Sequence, residues 1–479
     1  MIELRKIEPY IYEIAKNKQL NMHVPALLFA NETLISSIQK DRSLQQLANI
    51  ATLPGVVQNV VAMPDIHEGY GFPIGGVAAT RVDEGVISPG GVGYDINCGV
   101  RALVSDWNFK DIQNYLEPLI HQIYRDVPCG FNQGNTNKLS FSEIENVLEK
   151  GVDQLLDWGF AEVDDHLSIE SYGRLKNADA SLISKRAKER GLDQLGSLGS
   201  GNHFLEIQTV TEIYEPDLAQ AWGIAKDKIM IMIHTGSRGL GHQTCTDYVR
   251  EMVQNIDRWK IPLPDKELAC APLSSEEGMR YLNAMAACAN FAWANRQMIT
   301  HRIRQAWKRI LGNGAGSIQI LYDVAHNIAK IETHRIGRDD MQVCVHRKGA
   351  TRAFPKGHPE LLGKYRQTGQ PVIIPGTMGT ASYILVGTEL AMEKSFGTVC
   401  HGAGRTMSRT QAKKIEDGHA TRTTLQKNGI IVKCASNKGL SEEAPFAYKD
   451  VHEVVQVVHE AGLARKVARL RPIAVIKGA

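Results

Sequence analysis

The sequence lacks an apolar run of the roughly 18 residues that a membrane-spanning helix needs, and it has little net charge. Its 55 Lys and Arg residues nearly balance its 52 Asp and Glu residues, which leaves a formal charge of +3. Any anion site must therefore come from local clustering of charge. The first residues, MIELRKIEPYIYEI, contain acids and no apolar segment of the signal-peptide type. These absences predict a globular cytoplasmic protein.

Closely spaced cysteine pairs are also absent, since none of the eight cysteines forms a CxxC motif. In a chain of 479 residues without an export signal, we expect these cysteines to be reduced. The chain is long enough to bury a large core without disulfides. Most of the cysteines should therefore pack in that core, and a few could bind a ligand.

Internal repeats and Pro/Ser-rich linkers are missing as well, whereas glycine is frequent, with 43 residues in several clusters. Apolar residues at helical spacing predict helices over 109–125, 142–157 and 279–309. Short β-rich runs at 228–233, 317–322 and 372–375 end where a glycine cluster or a histidine begins. We predict an α/β (α+β) fold: one large domain over residues 1–479 around a single cleft, with helical insertions at about 105–195 and 245–315.

A candidate metal site begins with Asp95 and Cys98 in the turn GVGYDINCGV, where the three-residue spacing lets both side chains face one point. Three histidines, His203, His234 and His326, stand beside Gly or Asn at the ends of apolar runs. A single histidine is usually a surface or core residue, so the pattern rather than any one residue carries the hypothesis. Thiolate and imidazole suit zinc, whereas carboxylate suits manganese or magnesium, so the ligand types leave the metal open.

A second candidate centre is His401 in TVCHGAGRTMSR, between flexible glycines and near Arg405 and Arg409. A neutral imidazole among Gly N–H groups and Arg side chains could attack a phosphate and form a phosphoramidate. The same loop could instead bind an anion without covalent chemistry, and spacing alone does not decide between them.

Further loops and basic blocks suggest contacts with phosphate. HTGSRGLGH offers backbone N–H groups and Arg238, and HRKGATRAF brings Arg347, Lys348 and Arg352 together. Residues 296–309 and 461–479 each hold five Lys or Arg residues and no acid. The first block also lies on a helix face, so packing or solvation could explain it.

Together these motifs resemble the RtcB RNA-splicing ligase family. The similar segments are GGVGYDINCGVR, GSLGSGNHFLE, HTGSRGLGHQ, YDVAHN, HRKGATRAF, PGTMGTASY, HGAGR and the terminal VIKG, which run from about residue 60 to residue 478. The resemblance implies a GTP-dependent ligase that joins an RNA 3′-phosphate or 2′,3′-cyclic phosphate end to a 5′-hydroxyl end, in tRNA splicing or RNA repair. It also implies an archease-like protein that assists turnover.

The resemblance assigns roles to individual residues. It implies two Mn²⁺ ions per chain, with Cys98 bridging them, Asp95 and His203 on one ion, and His234 and His326 on the other. It implies that His401 becomes guanylylated. It implies a GTP pocket formed by Asn202, His203, Phe204, Leu205, Glu206, His326, Asn327, Pro375, Gly376, Thr377, Met378, Ser382, His401, Gly402, Ala403, Gly404, Tyr448 and Lys477. Residues expected to position the RNA or the histidine are Asp65, Arg238, Lys348, Arg352, Arg405 and Arg409.

One position departs from the common pattern, since Thr377 stands where many members of the family have serine; a hydroxyl is retained. Two other readings share these residues. An end-capping enzyme of the same family would guanylylate 3′-phosphate ends and seal poorly. A metal-dependent phosphodiesterase would need only the Asp, Cys and His cluster. Retention of labelled GMP on the protein separates the phosphodiesterase from the other two.

Overall fold

The computed structural model describes residues 2–130, 134–135 and 138–478. The strands within these residues are β1 Arg5–Glu8, β2 Ile11–Ile14, β3 Ala26–Phe29, β4 Val60–His67, β5 Ile74–Arg81, β6 Val86–Ile87, β7 Gly99–Asn108, β8 Phe204–Ile213, β9 Lys228–Thr235, β10 Ala271–Pro272, β11 Ile318–Ala325, β12 Asn327–Ile336, β13 Asp339–Lys348, β14 Ala350–Arg352, β15 Pro371–Ile374, β16 Ser382–Gly387, β17 Thr398–Cys400, β18 Ile431–Cys434 and β19 Ala464–Lys477.

The α-helices within the same residues are α1 Glu32–Ile38, α2 Ser43–Ile50, α3 Phe109–Ile112, α4 Leu116–Asp126, α5 Phe141–Lys150, α6 Val152–Asp157, α7 Lys185–Gly191, α8 Pro216–Ala221, α9 Arg238–Asn255, α10 Glu276–Leu311, α11 Gly363–Thr368, α12 Glu389–Ser395, α13 Arg409–Ile415, α14 Gly418–Lys427, α15 Asn437–Glu442 and α16 Val451–Glu460. None of these helices is long and apolar enough to cross a membrane.

The mixed helix and sheet architecture confirms the predicted fold class. The three strand predictions correspond to β9, β11 and β15, and the predicted helix over 279–309 is α10. The segment 142–157 is not one helix, because it breaks into α5 and α6 at Gly151. Gly151 has φ +56°, and a Cβ there would lie 2.2 Å from the carbonyl oxygen of Gly173, so a side chain does not fit. The division into one domain with two helical insertions stays a prediction.

Two large sheets organise the described residues. The seven-stranded sheet has the order β1-β2-β3-β4-β5-β13-β12, and the eight-stranded sheet has the order β11-β7-β9-β8-β19-β16-β15, with β18 paired to β19. In β9, Ile229, Ile231 and Ile233 belong to one hydrophobic cluster, whereas Met230 and Met232 belong to another. Because side chains alternate between the faces of a strand, both faces of the eight-stranded sheet are covered by core.

At one end of the eight-stranded sheet, where neighbouring strands begin or finish, distant parts of the chain come together. The strands β11, β7, β9 and β8 are neighbours and antiparallel, so the end of β11, the start of β7, the end of β9 and the start of β8 coincide. The register confirms this, since Gly99 pairs with both Ala325 and Thr235, and Phe204 pairs with His234. Residues that flank these strand ends therefore meet at one place.

A buried charged cluster lies next to these strand ends. Asp323 accepts hydrogen bonds from Arg101 at 2.7 Å and from Arg296 at 2.8 Å, and all three side chains have no exposed surface. Arg296 also donates to the carbonyl oxygens of Asn97 and Thr235, at 2.9 and 2.8 Å. Arg296 thus fixes the two segments that carry Cys98 and His234, and this residue of the basic block 296–309 is a packing residue.

We expect Asp323→Ala to lower the free energy of unfolding by about 3–5 kcal/mol, because it leaves two guanidinium groups buried without their counter-ion. Urea unfolding measures this loss. The matched control is Glu32→Ala, whose carboxylate pairs with Lys6 while its side chain is 85% exposed, and which should cost no more than about 1 kcal/mol. Equal effects of the two changes would contradict the importance given to the buried cluster.

Candidate active site

The strand ends at this end of the eight-stranded sheet place the predicted metal ligands beside one another. Cys98 precedes β7, His203 precedes β8, His234 is the next-to-last residue of β9 and His326 follows β11. The Sγ of Cys98 lies 3.3 Å from Nε2 of His234 and 3.5 Å from Nε2 of His203. Nε2 of His203 lies 2.8 Å from Oδ2 of Asp95, and Nε2 of His234 lies 3.3 Å from Nε2 of His326.

These five side chains form two candidate metal groups that share one residue. Cys98, His234 and His326 are one group, and Asp95, Cys98 and His203 are the other, with the ligand atoms of each group within 4.8 Å of one another. The shared thiol is the arrangement that a bridging ligand requires. Oδ1 of Asp95 is buried without a hydrogen-bond partner, so a carboxylate oxygen is left for an ion.

The protonation states also suit metal binding. Burial lowers the pKa of His203, and it lowers the pKa of His234 and His326 well below the ordinary value. These rings are therefore neutral near pH 7, which is the form that binds a metal. In the absence of a metal, burial and the negative charge of Asp95 raise the pKa of the Cys98 thiol. Burial alone would raise the pKa of Asp95, but its direct contact with His203 and the positive charge of Arg238 more than offset burial, and the pKa falls to about 2.

The orientation of His203 is set by its backbone neighbours. Its Nδ1–H donates to the carbonyl oxygen of Leu198 at 3.0 Å, which leaves Nε2 available on the side of Asp95 and Cys98. Arg238 lies beside the same ring, with Nη1 3.0 Å from Nδ1. The structure therefore puts Arg238 at the metal group, where its positive charge also acts on Asp95.

His401 stands next to this cluster at the end of β17. Its ring centroid lies 4.9 Å from that of His326. The buried Asp65 lies against it: Oδ2 accepts the backbone N–H of His401 at 3.0 Å and that of Gly402 at 3.3 Å. The same oxygen lies 2.6 Å from Nδ1 of His401, although the angle at this nitrogen is outside hydrogen-bond geometry. A carboxylate at Nδ1 leaves Nε2 as the nucleophilic nitrogen.

The glycine loop after His401 is required by this close approach. Gly404 has φ +73°, and a Cβ there would lie 2.2 Å from the backbone oxygen of Asp65. Any side chain at position 404 would therefore push the loop off Asp65. The HGAGR motif thus positions His401 through its backbone as well as through its side chain.

A cavity of about 1200 Å³ joins the metal groups, His401 and most of the predicted nucleotide residues. The predicted residues that line it are Asp95, Cys98, Asn202, Phe204, His234, His326, Asn327, Lys348, Pro375, Gly376, Thr377, Met378, His401, Gly402, Ala403, Gly404, Arg405, Arg409, Tyr448 and Lys477. The cavity therefore gathers sequence segments from residue 95 to residue 477 at a single site.

Behind the cavity wall, a hydrogen-bonded network connects Glu206 to the PGTM turn. Nε2 of Gln208 donates to Glu206 at 2.6 Å and to Oγ of Ser382 at 3.0 Å, and that Oγ accepts the N–H of Gly376 at 3.2 Å. Sequence reasoning named Glu206 and Ser382 but missed Gln208, which follows Glu206 by two positions and shares its strand face. Leu205, on the other face, packs into the hydrophobic core.

Glu443 is the principal residue that sequence reasoning missed. It is buried and accepts hydrogen bonds from Arg409 at 2.7 Å, Arg405 at 3.3 Å and the hydroxyl of Tyr448, and Lys477 Nζ lies 4.0 Å away. Burial would raise the pKa of Glu443, but Lys477, Arg409 and Arg405 outweigh burial and lower it. The segment around Glu443 has no glycine cluster or strand end, so no sequence signal indicated it.

The predicted phosphate contacts differ in their surroundings. Arg352 is buried and donates to Gln370 and Glu360, at 3.0 and 2.7 Å, and it does not line the cavity. Lys348 lines the cavity, and burial lowers its pKa to about 7. The structure thus brings Lys348 to the site and places Arg352 within the protein.

The two arginines after His401 also differ. Arg405 donates to the carbonyl oxygens of Met407 and Glu442, at 3.0 and 2.9 Å. Most of its N–H groups are therefore hydrogen-bonded to the protein that forms the cavity wall. The side chain of Arg409 is 47% exposed and lines the same cavity. Arg409 therefore has more surface to offer an anion than Arg405.

These observations define a mixed helix and sheet protein in which a cavity of about 1200 Å³ combines a candidate two-part metal cluster with a histidine that lies against a carboxylate. The family model described as tRNA-splicing ligase RtcB matches residues 46–478. The chain therefore belongs to the RtcB family, as the motifs predicted.

Individual relatives agree with this assignment. A tRNA-splicing ligase RtcB from Nanoarchaeum equitans is 50% identical over 480 residues, with 100% of both chains covered. One from Thermococcus kodakarensis is 48% identical, with 100% of this chain and 99% of the relative covered. An RNA-splicing ligase RtcB from Mycobacterium bovis is 50% identical over 437 residues, which cover 90% of this chain and 100% of the relative.

Proposed function

We propose that this protein is a GTP-dependent RNA ligase that joins a 3′-phosphate or 2′,3′-cyclic phosphate end to a 5′-hydroxyl end. The observation that carries the proposal is the position of His401, with Asp65 at Nδ1 and His326 4.9 Å away between ring centroids. Family membership supports the ligase class. The cavity supplies the space for a nucleotide and an RNA end.

In the first step of the proposed reaction, Nε2 of His401 attacks the α-phosphate of GTP, a P–N bond forms and pyrophosphate leaves. Asp65 holds the ring and stabilises the positive charge that develops on it. In the second step, the RNA 3′-phosphate attacks the histidine-bound GMP and gives an RNA(3′)pp(5′)G end, while His401 is released. A cyclic phosphate is hydrolysed to the 3′-phosphate before this step. In the third step, the 5′-hydroxyl attacks the activated phosphate, and GMP leaves.

We further propose that the ions are two Mn²⁺, with Asp95 and His203 on one, His234 and His326 on the other, and Cys98 between them. When bound, such ions neutralise the charge that develops on transferring phosphates. The donor set supports this assignment because it mixes a carboxylate and imidazoles with a thiol that both groups share. The proposed RNA substrates include tRNA halves, and an archease-like activator stays a prediction from the resemblance.

The proposal is tested with GTP labelled at either the α- or the γ-phosphate. Protein that retains only the α-label, with Mn²⁺ present, carries GMP as the proposal requires. Addition of a 3′-phosphate RNA and a 5′-hydroxyl RNA should then yield one sealed strand, whereas a 5′-phosphate strand should not be sealed. RNA cleavage without retained label would instead indicate a phosphodiesterase, and RNA(3′)pp(5′)G that accumulates without sealing would indicate an end-capping enzyme.

We propose that guanine selection depends on Glu206, which is buried behind the cavity wall near the cavity-lining Lys477, so that a bound base would have to reach it through that wall. Guanine presents N–H donors at N1 and N2, and a carboxylate accepts both, whereas adenine has an acceptor at N1. Each unpaired buried group costs about 1–3 kcal/mol, so two mismatches give on the order of a hundredfold preference. Glu206→Ala should therefore erode the preference for GTP over ATP, measured by guanylylation and adenylylation in competition. Glu212→Ala, an exposed acid on the same strand, should leave the preference unchanged.

The same residue gives a pH dependence. Burial raises the pKa of Glu206 to about 8, so its carboxyl group is protonated below that pH and ionised above it. Because the ionised form accepts both guanine donors, GTP affinity should rise as pH passes upward through about 8. Glu206→Gln removes the titrating group and should flatten this rise in a binding titration.

A further inference from the structure

His67 is an imidazole in the cavity that has no part in the proposed reaction so far. It is the last residue of β4, it is half-buried, and it lines the same cavity as His401. The histidines in the described lining are His67, His234, His326 and His401. Since two of these belong to the candidate metal group and one is the proposed nucleophile, His67 is the remaining imidazole that faces the ligand space.

Asp65 tethers both non-metal imidazoles. Its side chain lies at Nδ1 of His401, and its backbone oxygen accepts the Nδ1–H of His67 at 2.9 Å. This bond fixes the tautomer of His67, so Nε2 carries the lone pair. No protein partner of that Nε2 occurs among the described residues, and a half-buried acceptor in a cavity wall is open to a ligand hydroxyl.

The surrounding backbone keeps this arrangement rigid. Lys449 donates to the carbonyl oxygens of Pro64, at 3.2 Å, and of Ile66, so it holds the residues on either side of Asp65. Gly349 brings another backbone segment close, since a Cβ there would lie 3.2 Å from Cε1 of His401. The His67 ring is therefore presented from a strand end that Lys449 holds in place, in the cavity that His401 also lines.

We propose that His67 is the general base for the acceptor strand and takes the proton of the RNA 5′-hydroxyl during sealing. This inference rests on the proposed ligase function and assigns one residue to its third step. As the O5′–P bond forms, the hydroxyl proton moves to Nε2 of His67 and the bond to the GMP phosphate breaks. GMP departs with the bonding electron pair, and His67 returns its proton to solvent.

The charges around His67 agree with this role. Burial lowers the pKa of His67 to about 4, and the positive charge of Lys449 acts in the same direction, against Asp65 and its carbonyl group. The ring is therefore neutral, and able to accept a proton, near pH 7. Lys40, Asp41 and Glu68 also line the cavity, and Oδ2 of Asp41 accepts the backbone N–H of Glu68, the residue after His67, at 3.1 Å. A bound RNA phosphate adds negative charge, which raises the pKa of His67 toward the range where a base is most efficient.

The test uses the full chain with Mn²⁺ and resolves the three steps. His67→Asn is the main variant, because its amide N–H can still donate to the carbonyl oxygen of Asp65. Guanylylation and formation of RNA(3′)pp(5′)G should remain close to wild type. Sealing of purified RNA(3′)pp(5′)G to a 5′-hydroxyl strand should fall about 10²- to 10⁴-fold, the usual contribution of a general base. The wild-type sealing rate should decline toward acid pH, and the variant should lose that decline.

Two further variants make the result specific. Imidazole added to His67→Gly should restore part of the sealing rate, which a purely structural role would not produce. His23→Asn, an exposed histidine outside the cavity lining, should behave as wild type throughout. Wild-type sealing by His67→Asn would overturn the inference, as would equal loss of all three steps or loss confined to opening of a cyclic phosphate. Failure of the wild-type protein to retain GMP would instead overturn the proposed ligase function.

Discussion

Replacement of His401 with alanine is expected to abolish attachment of GMP to the protein. The side chain is the proposed covalent acceptor, and loss of a covalent nucleophile typically lowers turnover by at least about 10³-fold. The intact protein is mixed with α-labelled GTP and Mn²⁺, and the retained label and the mass shift of one GMP are measured. The substitution removes only a cavity-lining ring, so thermal unfolding should change little.

The control for this change is His419→Ala, an exposed histidine near the start of α14, which should retain full labelling. A purified RNA(3′)pp(5′)G strand bypasses the histidine adduct, so His401→Ala should still seal it to a 5′-hydroxyl strand. Undiminished labelling of His401→Ala would place the nucleophile on another residue.

The second large effect is expected for Cys98→Ala. Both candidate metal groups include Cys98, so its loss removes one ligand from each at the same time. Loss of even an outer partner of a metal ligand weakens binding about 10- to 100-fold, and loss of a shared anionic ligand should exceed that. Bound manganese measured by atomic emission after gel filtration, together with GMP attachment, should therefore fall.

Cys270→Ala is the matched control, because Cys270 is also fully buried but packs in a hydrophobic cluster away from the cavity. It should keep both metal content and labelling. Cys98→Ala protein that retains two ions and full activity would show that the bridging assignment is wrong.

The strand ends explain why so much of the site could be predicted from sequence. KIMIMI ends directly before His234, and SIQILY leads to His326, so the apolar runs themselves marked where functional residues emerge from the sheet. These strand ends lie together because the strands are ordered β11-β7-β9-β8, and that order comes from pairing between strands distant in the chain. The apolar periodicity of a single strand does not specify which other strands pair with it.

The positions that sequence could not place depend on contacts across the chain. Arg296 and Arg352 look like surface cations in the sequence, but buried carboxylates that are distant in the chain pair with them. For Arg296 the partner is Asp323; for Arg352 the buried Glu170 lies 3.7 Å away, in addition to the closer Glu360 at 2.7 Å. Glu443 was missed for the complementary reason, because an isolated acid gains its role only when Arg405, Arg409 and Lys477 converge on it. Charge pairing across the chain is decided by the fold, which composition cannot reveal.

The contact between Asp65 and His401 has a consequence for biosynthesis. These residues are separated by 336 positions, yet their bond fixes the proposed nucleophile. A ribosome that adds about 5–20 residues per second delivers His401 roughly 17–67 s after Asp65. Throughout that interval β4 lacks its partner loop, and the carboxylate of Asp65 lacks the N–H donors of His401 and Gly402. A nascent chain can thus complete much of its seven-stranded sheet while it still lacks a reactive centre, and activity should emerge only at the last stage of synthesis.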